Sequence, residues 1–227
     1  MQKVYILHGW SYETDKWNEL LVDLKKHNFE CVLLRIPGLT EKLEEVWNIS
    51  NYEEWLGKKL KREKNIILIG HSNGGRIALS YVARNPGKIK KLILIDSAGI
   101  LSKDTKTKVK RFFFKLLSSI GKKFTKSKYL KNILYKIIGE SDYNNASDIM
   151  KKTMQNLITI DLTNMLHKVN VDTSIIWGRN DSITPLRDGM LMNKLIRNSK
   201  IYIIDGAKHS PQFTHPERVL NIIYENI

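Results

Sequence analysis

Six short, nearly unbroken apolar runs alternate along this chain with segments whose apolar residues recur at helical spacing, and that alternation leaves few folds open. The runs lie at 4–7, 31–35, 66–69, 92–95, 174–177 and 201–204. A strand with one wet face alternates apolar and polar side chains; these do not, so they are expected to be parallel strands covered on both faces. Helical spacing is found at 15–27, 53–62, 75–84, 186–196 and 216–224. Strand–helix alternation with right-handed crossovers gives an α/β fold, a three-layer α/β/α sandwich on a mostly parallel sheet of about six strands.

The alternation stops after Ser97-Ala98-Gly99, and no convincing strand follows until Ser174. The intervening residues have helical character and are expected to form a helical cap inserted after the fourth strand. The chain is thus expected to be one domain over 1–227, with a core of 1–100 and 169–227 and a cap of 101–168. Within the cap, 108–120 places Phe112, Phe113, Leu116, Leu117 and Ile120 near one face among lysines, the pattern of an amphipathic helix.

Charge is distributed unevenly over the same three parts. The net +15 divides into 16 basic and 12 acidic groups in 1–100, 15 and 5 in 101–168, and 7 and 6 in 169–227. A basic cap of this kind is either a solvated face or a surface for anionic lipid headgroups or an acidic substrate. No groove-reading or base-stacking motif accompanies the lysines, so nucleic acid is not an expected partner. No apolar run approaches the roughly 20 residues that cross a bilayer, and the start lacks a signal-peptide pattern, so a cytoplasmic protein is expected. Cys31, the single cysteine, sits in an apolar run and is expected to be a buried strand residue.

Chemistry concentrates just past the strands, where the functional groups of an open α/β sheet gather. Ser72 stands in Gly70-His71-Ser72-Asn73-Gly74, between the third apolar run and a helical segment. An abrupt strand-to-helix turn holds its central residue in a strained conformation and lifts the hydroxyl above the sheet, with glycines removing the Cβ atoms that would clash. The amide of Asn73, at the helix start, is suited to a developing negative charge. A serine hydroxyl needs a base, and an imidazole serves best when a carboxylate holds its tautomer. Asp181 follows the fifth run and His209 the sixth, in the chain order Ser, Asp, His of a nucleophile elbow. Asp96, at the end of the fourth run, is the alternative acid, although Asp181 has the better sequence context. His8 and His71 are expected to support the neighbouring turns, and His215 to cap the last helix.

These stretches together resemble the α/β-hydrolase fold family over essentially the whole sequence. His8-Gly9-Trp10 is similar to the family's oxyanion loop, 70–75 to its elbow, 176–181 to its acid-bearing turn and 206–209 to its histidine loop. The resemblance implies oxyanion donors at the backbone N–H groups of Trp10 and Asn73. Two departures stand out: the antiparallel N-terminal hairpin common in the family is missing, and the cap is strongly basic.

The expected activity is a serine hydrolase cleaving a carboxylic ester through an acyl-enzyme, with Ser72, Asp181 and His209 as catalytic residues. The expected partner is a small-molecule ester, with an apolar acyl group suggested by the cap's aromatic and aliphatic residues, and the basic cap adds possible peripheral contact with an anionic membrane. Two alternatives share the scaffold: a carbon–carbon bond hydrolase of a dienoic keto acid, and a non-catalytic membrane-associated or binding protein. No His, Cys and carboxylate cluster has metal-ligand spacing, and Gly74-Gly75-Arg76 lacks a phosphate-loop pattern, so neither metal nor other cofactor is expected.

Overall fold

The computed structural model describes residues 1–101 and 146–227. Six strands, β1 (Gln2–Leu7), β2 (Phe29–Leu33), β3 (Ile66–His71), β4 (Ile89–Ile95), β5 (Asp172–Gly178) and β6 (Ser199–Ile204), form one sheet in the order β2-β1-β3-β4-β5-β6. Every pairing is parallel. The chain therefore moves outward from β1 to β2, returns past β1 to β3, and then builds in the other direction. Strand order reverses between β1 and β3, where the loops after the two strands diverge and leave a crevice.

Both faces of the sheet are covered, which is why the strands read as unbroken apolar runs. On one face, Tyr5, Leu7, Leu68, Leu92, Leu94, Ile175 and Trp177 pack with the helices α2 (Ile49–Lys59), α3 (Asn73–Arg84), α4 (Asp148–Ile158) and α5 (Leu186–Leu195). On the other, Val4, Ile6, Ile67, Ile69, Ile93, Ile95 and Ile176 meet Trp17 and the apolar sides of α1 (Asn18–Lys26) and α7 (Pro216–Tyr224). A short helix, α6 (Pro211–Thr214), precedes α7. Removing a fully buried Leu or Ile from either layer costs about 2–5 kcal/mol.

Several local outcomes differ from the sequence expectation for identifiable reasons. Helix α2 begins at Ile49 rather than near residue 53, because Asn48 and Asn51 form a reciprocal capping box that satisfies the first free N–H groups. Arg35 lies past the end of β2. Cys31 is half-buried rather than enclosed, since β2 is an edge strand. His215 occupies the position before α7, but its side chain makes no capping bond; its Nδ1 lies 2.9 Å from the Thr214 hydroxyl.

Most of the expected cap, including the amphipathic stretch 108–120, falls outside the described residues. Its described end joins the core: Met150, Met154 and Leu157 of α4 belong to the same buried cluster as Ile36 and Leu56. The Trp47 amide donates to Thr153 Oγ1 at 3.0 Å, and the Leu162 amide donates to the Gly99 carbonyl at 2.8 Å. Among the described residues no helix is long and apolar enough to cross a membrane.

Candidate active site

Ser72 stands between β3 and α3 with φ 53° and ψ −118°, a backbone conformation unfavourable for any residue with a Cβ. The surrounding chain holds it there. Its amide donates to the Ile95 carbonyl at 3.1 Å, and its own carbonyl accepts from Ala98 at 2.9 Å, so the elbow is stitched to the chain leaving β4. Close packing requires glycine at 74: a Cβ there would press into the carbonyl oxygen of Leu7, on the last residue of β1. Ser72 is consequently buried at the edge of the crevice, with the first amide of α3, that of Asn73, beside it.

His209 and Asp181 arrive from the loops after β6 and β5. Ser72 Oγ is 2.9 Å from His209 Nε2, and His209 Nδ1 is 2.8 Å from Asp181 Oδ2. Asp181 also accepts from the Ile183 amide at 2.7 Å, the Thr184 amide at 3.1 Å and the Thr184 hydroxyl at 2.6 Å. Burial pushes the Asp181 carboxyl upward, but the His209 hydrogen bond and charge, with the Thr184 and Ile183 donors, outweigh it and hold the group below the usual aspartate range. An ionised Asp181 requires the proton of His209 on Nδ1, which leaves Nε2 free to accept the Ser72 hydroxyl proton.

Around this chain of contacts lies a supporting layer. The His71 ring is buried edge-on to Trp17 and Phe213, and its Nε2–H donates to the His209 carbonyl at 2.9 Å. Burial, with His209 adding, lowers its pKa to about 3, so the ring is neutral. His8 is likewise kept neutral by burial: Nδ1–H donates to the Gly9 carbonyl at 2.8 Å, and Nε2 accepts from Thr40 at 3.0 Å. Thr40 in turn accepts the Ile36 amide, so the loop after β1 is tied to the loop after β2. The bare backbone of Gly9 lies against His71 and Ser72, which sets the next residue, Trp10, at the crevice. Among the described residues neither the Trp10 nor the Asn73 amide has a protein acceptor.

All three side chains expected for catalysis therefore converge. Sequence reasoning did not find Thr184, whose only signal was a hydroxyl three residues after Asp181, nor the contact between His71 and the His209 main chain. Asp96, the alternative acid, is not hydrogen-bonded to His209 but lies beside it.

A sequence model of the alpha/beta hydrolase fold matches residues 3–216. The chain belongs to this family. Among curated proteins it is 30% identical over 241 residues to the pimeloyl-(acyl-carrier protein) methyl ester esterase of Wigglesworthia glossinidia brevipalpis, covering 96% of this chain and 90% of the relative. The esterase of the same name from Pseudoalteromonas atlantica is 25% identical, with coverage of 97% and 92%. Among solved structures, an esterase from Exiguobacterium antarcticum superposes with a TM-score of 0.78 at 20% identity, covering 99% of this chain and 91% of that one. A bromoperoxidase from Bacillus anthracis gives 0.75 at 18% identity, with coverage of 98% and 90%. The hydrolase fold, with its sheet of six parallel strands, is thus the family's.

Proposed function

We propose that this alpha/beta hydrolase is a serine esterase acting through an acyl-enzyme. The observation that carries the reading is the unbroken relay from Ser72 Oγ to His209 Nε2 at 2.9 Å and from His209 Nδ1 to Asp181 Oδ2 at 2.8 Å. His209 takes the hydroxyl proton as Ser72 Oγ attacks the ester carbonyl carbon. The new oxyanion lies against the Trp10 and Asn73 amides, where the start of α3 adds its partial positive charge. Collapse of the tetrahedral intermediate breaks the bond to the alcohol oxygen, which leaves with the proton from His209. Water, deprotonated by the same imidazole, then attacks the acyl-enzyme and releases the acid while Ser72 recovers its proton. Asp181 keeps the imidazole in the required tautomer and stabilises its cation.

The relatives support an ester: both are pimeloyl-(acyl-carrier protein) methyl ester esterases, which points to a methyl ester on an acyl chain carried by a protein. That substrate class is the first to test. A fluorophosphonate probe should label the protein at Ser72, Ser72→Ala should take no label, and short-chain methyl or p-nitrophenyl esters should be hydrolysed by the wild type alone. Labelling that survives Ser72→Ala, or turnover of a dienoic keto acid without any ester hydrolysis, would overturn the reading.

A further inference from the structure

The carboxyl of Asp96 shares a small volume with the acid and imidazole described above, yet no step of ester hydrolysis uses it. A carboxylate oxygen of Asp96, one of Asp181 and a ring nitrogen of His209 lie within 4.8 Å of one another. Asp96 is fully buried, and its backbone is left-handed, with φ 41°. Its Oδ1 accepts the Gly178 amide at 2.8 Å, three residues before Asp181. Its Oδ2 has no partner among the described residues. The Thr184 hydroxyl lies between the Asp181 carboxylate and the Asp96 carbonyl, 2.6 and 3.1 Å away, so main chain and side chain of Asp96 both touch the turn that carries Asp181. A buried, unpaired carboxyl oxygen on a strained residue is costly, and bracing the turn through Oδ1 alone does not require it.

Resting on the serine esterase reading, we propose that Asp96 is a second acid for His209. In the intact protein it is a positioning residue that braces the acid turn. When Asp181 cannot hold the Nδ1–H of His209, the Asp96 carboxylate takes that hydrogen bond. A carboxylate oxygen of Asp96 already lies within 4.8 Å of a ring nitrogen of His209, so the bond calls for a local adjustment of neighbouring side chains.

Electrostatics make this arrangement self-adjusting. Two adjacent carboxyls cannot both ionise cheaply. Burial raises the Asp96 pKa to about 8, with the Asp181 charge adding to the rise and the Gly178 N–H opposing it. Among the described residues, the ionisable groups beside Asp96 are Asp181, from the loop after β5, and His209, from the loop after β6. At neutral pH, Asp181 therefore carries the charge and Asp96 the proton. Removing the Asp181 charge removes one cause of the rise and leaves the His209 cation without a counter-ion, so Asp96 ionises at lower pH in that variant.

The test measures kcat/KM for p-nitrophenyl acetate, the rate of fluorophosphonate labelling and the melting temperature of wild type, D96N, D181N and D181N/D96N between pH 6 and 10. D181N should retain activity whose rise with pH contains an ionisation that D181N/D96N lacks. Adding D96N should remove that ionisation and lower activity at pH 8 by at least about tenfold. D96N alone should lose only a few-fold, because its amide oxygen still accepts from Gly178. Equal pH profiles for D181N and D181N/D96N, or a D181N profile without a rise, would overturn the role of Asp96. If the double variant does not fold, D181N/D96S, which also removes the carboxylate, takes its place. A wild type that neither takes the probe nor hydrolyses the ester would overturn the esterase reading instead.

Discussion

At the amino end of the sheet, charges pair with partners that reach solvent: Lys3 lies 3.0 Å from Glu63 and 3.9 Å from Glu30, and Lys91, itself buried, reaches the exposed Asp172 at 2.8 Å. At the carboxyl end the polar groups His8, His71, Ser72, Asp96 and Asp181 are buried. Left-handed backbone divides in the same way. Before β2 and β3 it falls on Asn28 and Asn65, a residue type that tolerates it; after β4 it falls on Asp96, which tolerates it too, but after β3 it falls on Ser72, which does not. With buried Lys91 as the exception, one end is made of arrangements that water and residue preference stabilise locally, and the other of arrangements that the surrounding fold must hold. Cost accepted at one end of a sheet marks where its chemistry is done.

The sharpest way to break this contrast is at Ser72. Ser72→Ala should lower kcat/KM for an ester by roughly four to six orders of magnitude, measured against a matched preparation free of other esterases. Ser72→Gly should be equally inactive yet more stable by about 1 kcal/mol in urea unfolding, since glycine accepts the φ of 53° without strain. A glycine variant less stable than wild type would show that the elbow stores no strain.

Glycines offer a second, smaller contrast. Gly74→Ala drives a Cβ into the Leu7 carbonyl at the carboxyl end, whereas a Cβ at Gly87, just before β4, meets nothing within 4 Å. Gly74→Ala should destabilise by about 2–4 kcal/mol, and Gly87→Ala should stay within about 0.5 kcal/mol of wild type. Equal midpoints in urea would remove the close approach of α3 to β1 from the account.

The strands were legible in the sequence because burial on both faces writes the same apolar run six times, and Ser72, Asp181 and His209 because each stands in the turn that follows such a run. Less was legible where the deciding partner is distant or the cue is backbone. The bond from His71 to the His209 carbonyl spans 138 residues, and nothing local at His71 announces it. The start of α2 depended on a capping box at Asn48 that helical periodicity does not register. The short α6 is too brief to show a period at all. The position of Asp96 as a possible acid was readable from its strand end; that it lies beside Asp181, and therefore keeps its proton, was not.

His71 sharpens the contrast through pH. Its folded pKa of about 3 lies below the unfolded value near 6.5, so between these values the unfolded chain binds the extra proton and stability falls as the solution is acidified. The contribution is fully present above about pH 6.5 and is lost toward pH 3, at up to about 1.4 kcal/mol per pH unit. His71→Gln, whose amide can still donate to the His209 carbonyl, should melt with a shallower acid slope. His8 acts with the same sign in both proteins and cancels from the comparison. Parallel slopes for the two proteins between pH 6.5 and 4 would mean that His71 is not held neutral by the fold.

The smallest effect belongs to the amino end. Lys3 and Glu63 raise and lower one another's pKa in the expected senses through their direct hydrogen bond, yet the pair lies where solvent screens it and both side chains must be ordered to form it. Lys3→Met and Glu63→Gln should leave the melting temperature and ester turnover indistinguishable from wild type, and added salt should not separate the variants. A marked loss in either would mean that the amino end also depends on specific polar contacts, and the asymmetry between the two ends of the sheet would then reflect exposure alone rather than a division between scaffold and site.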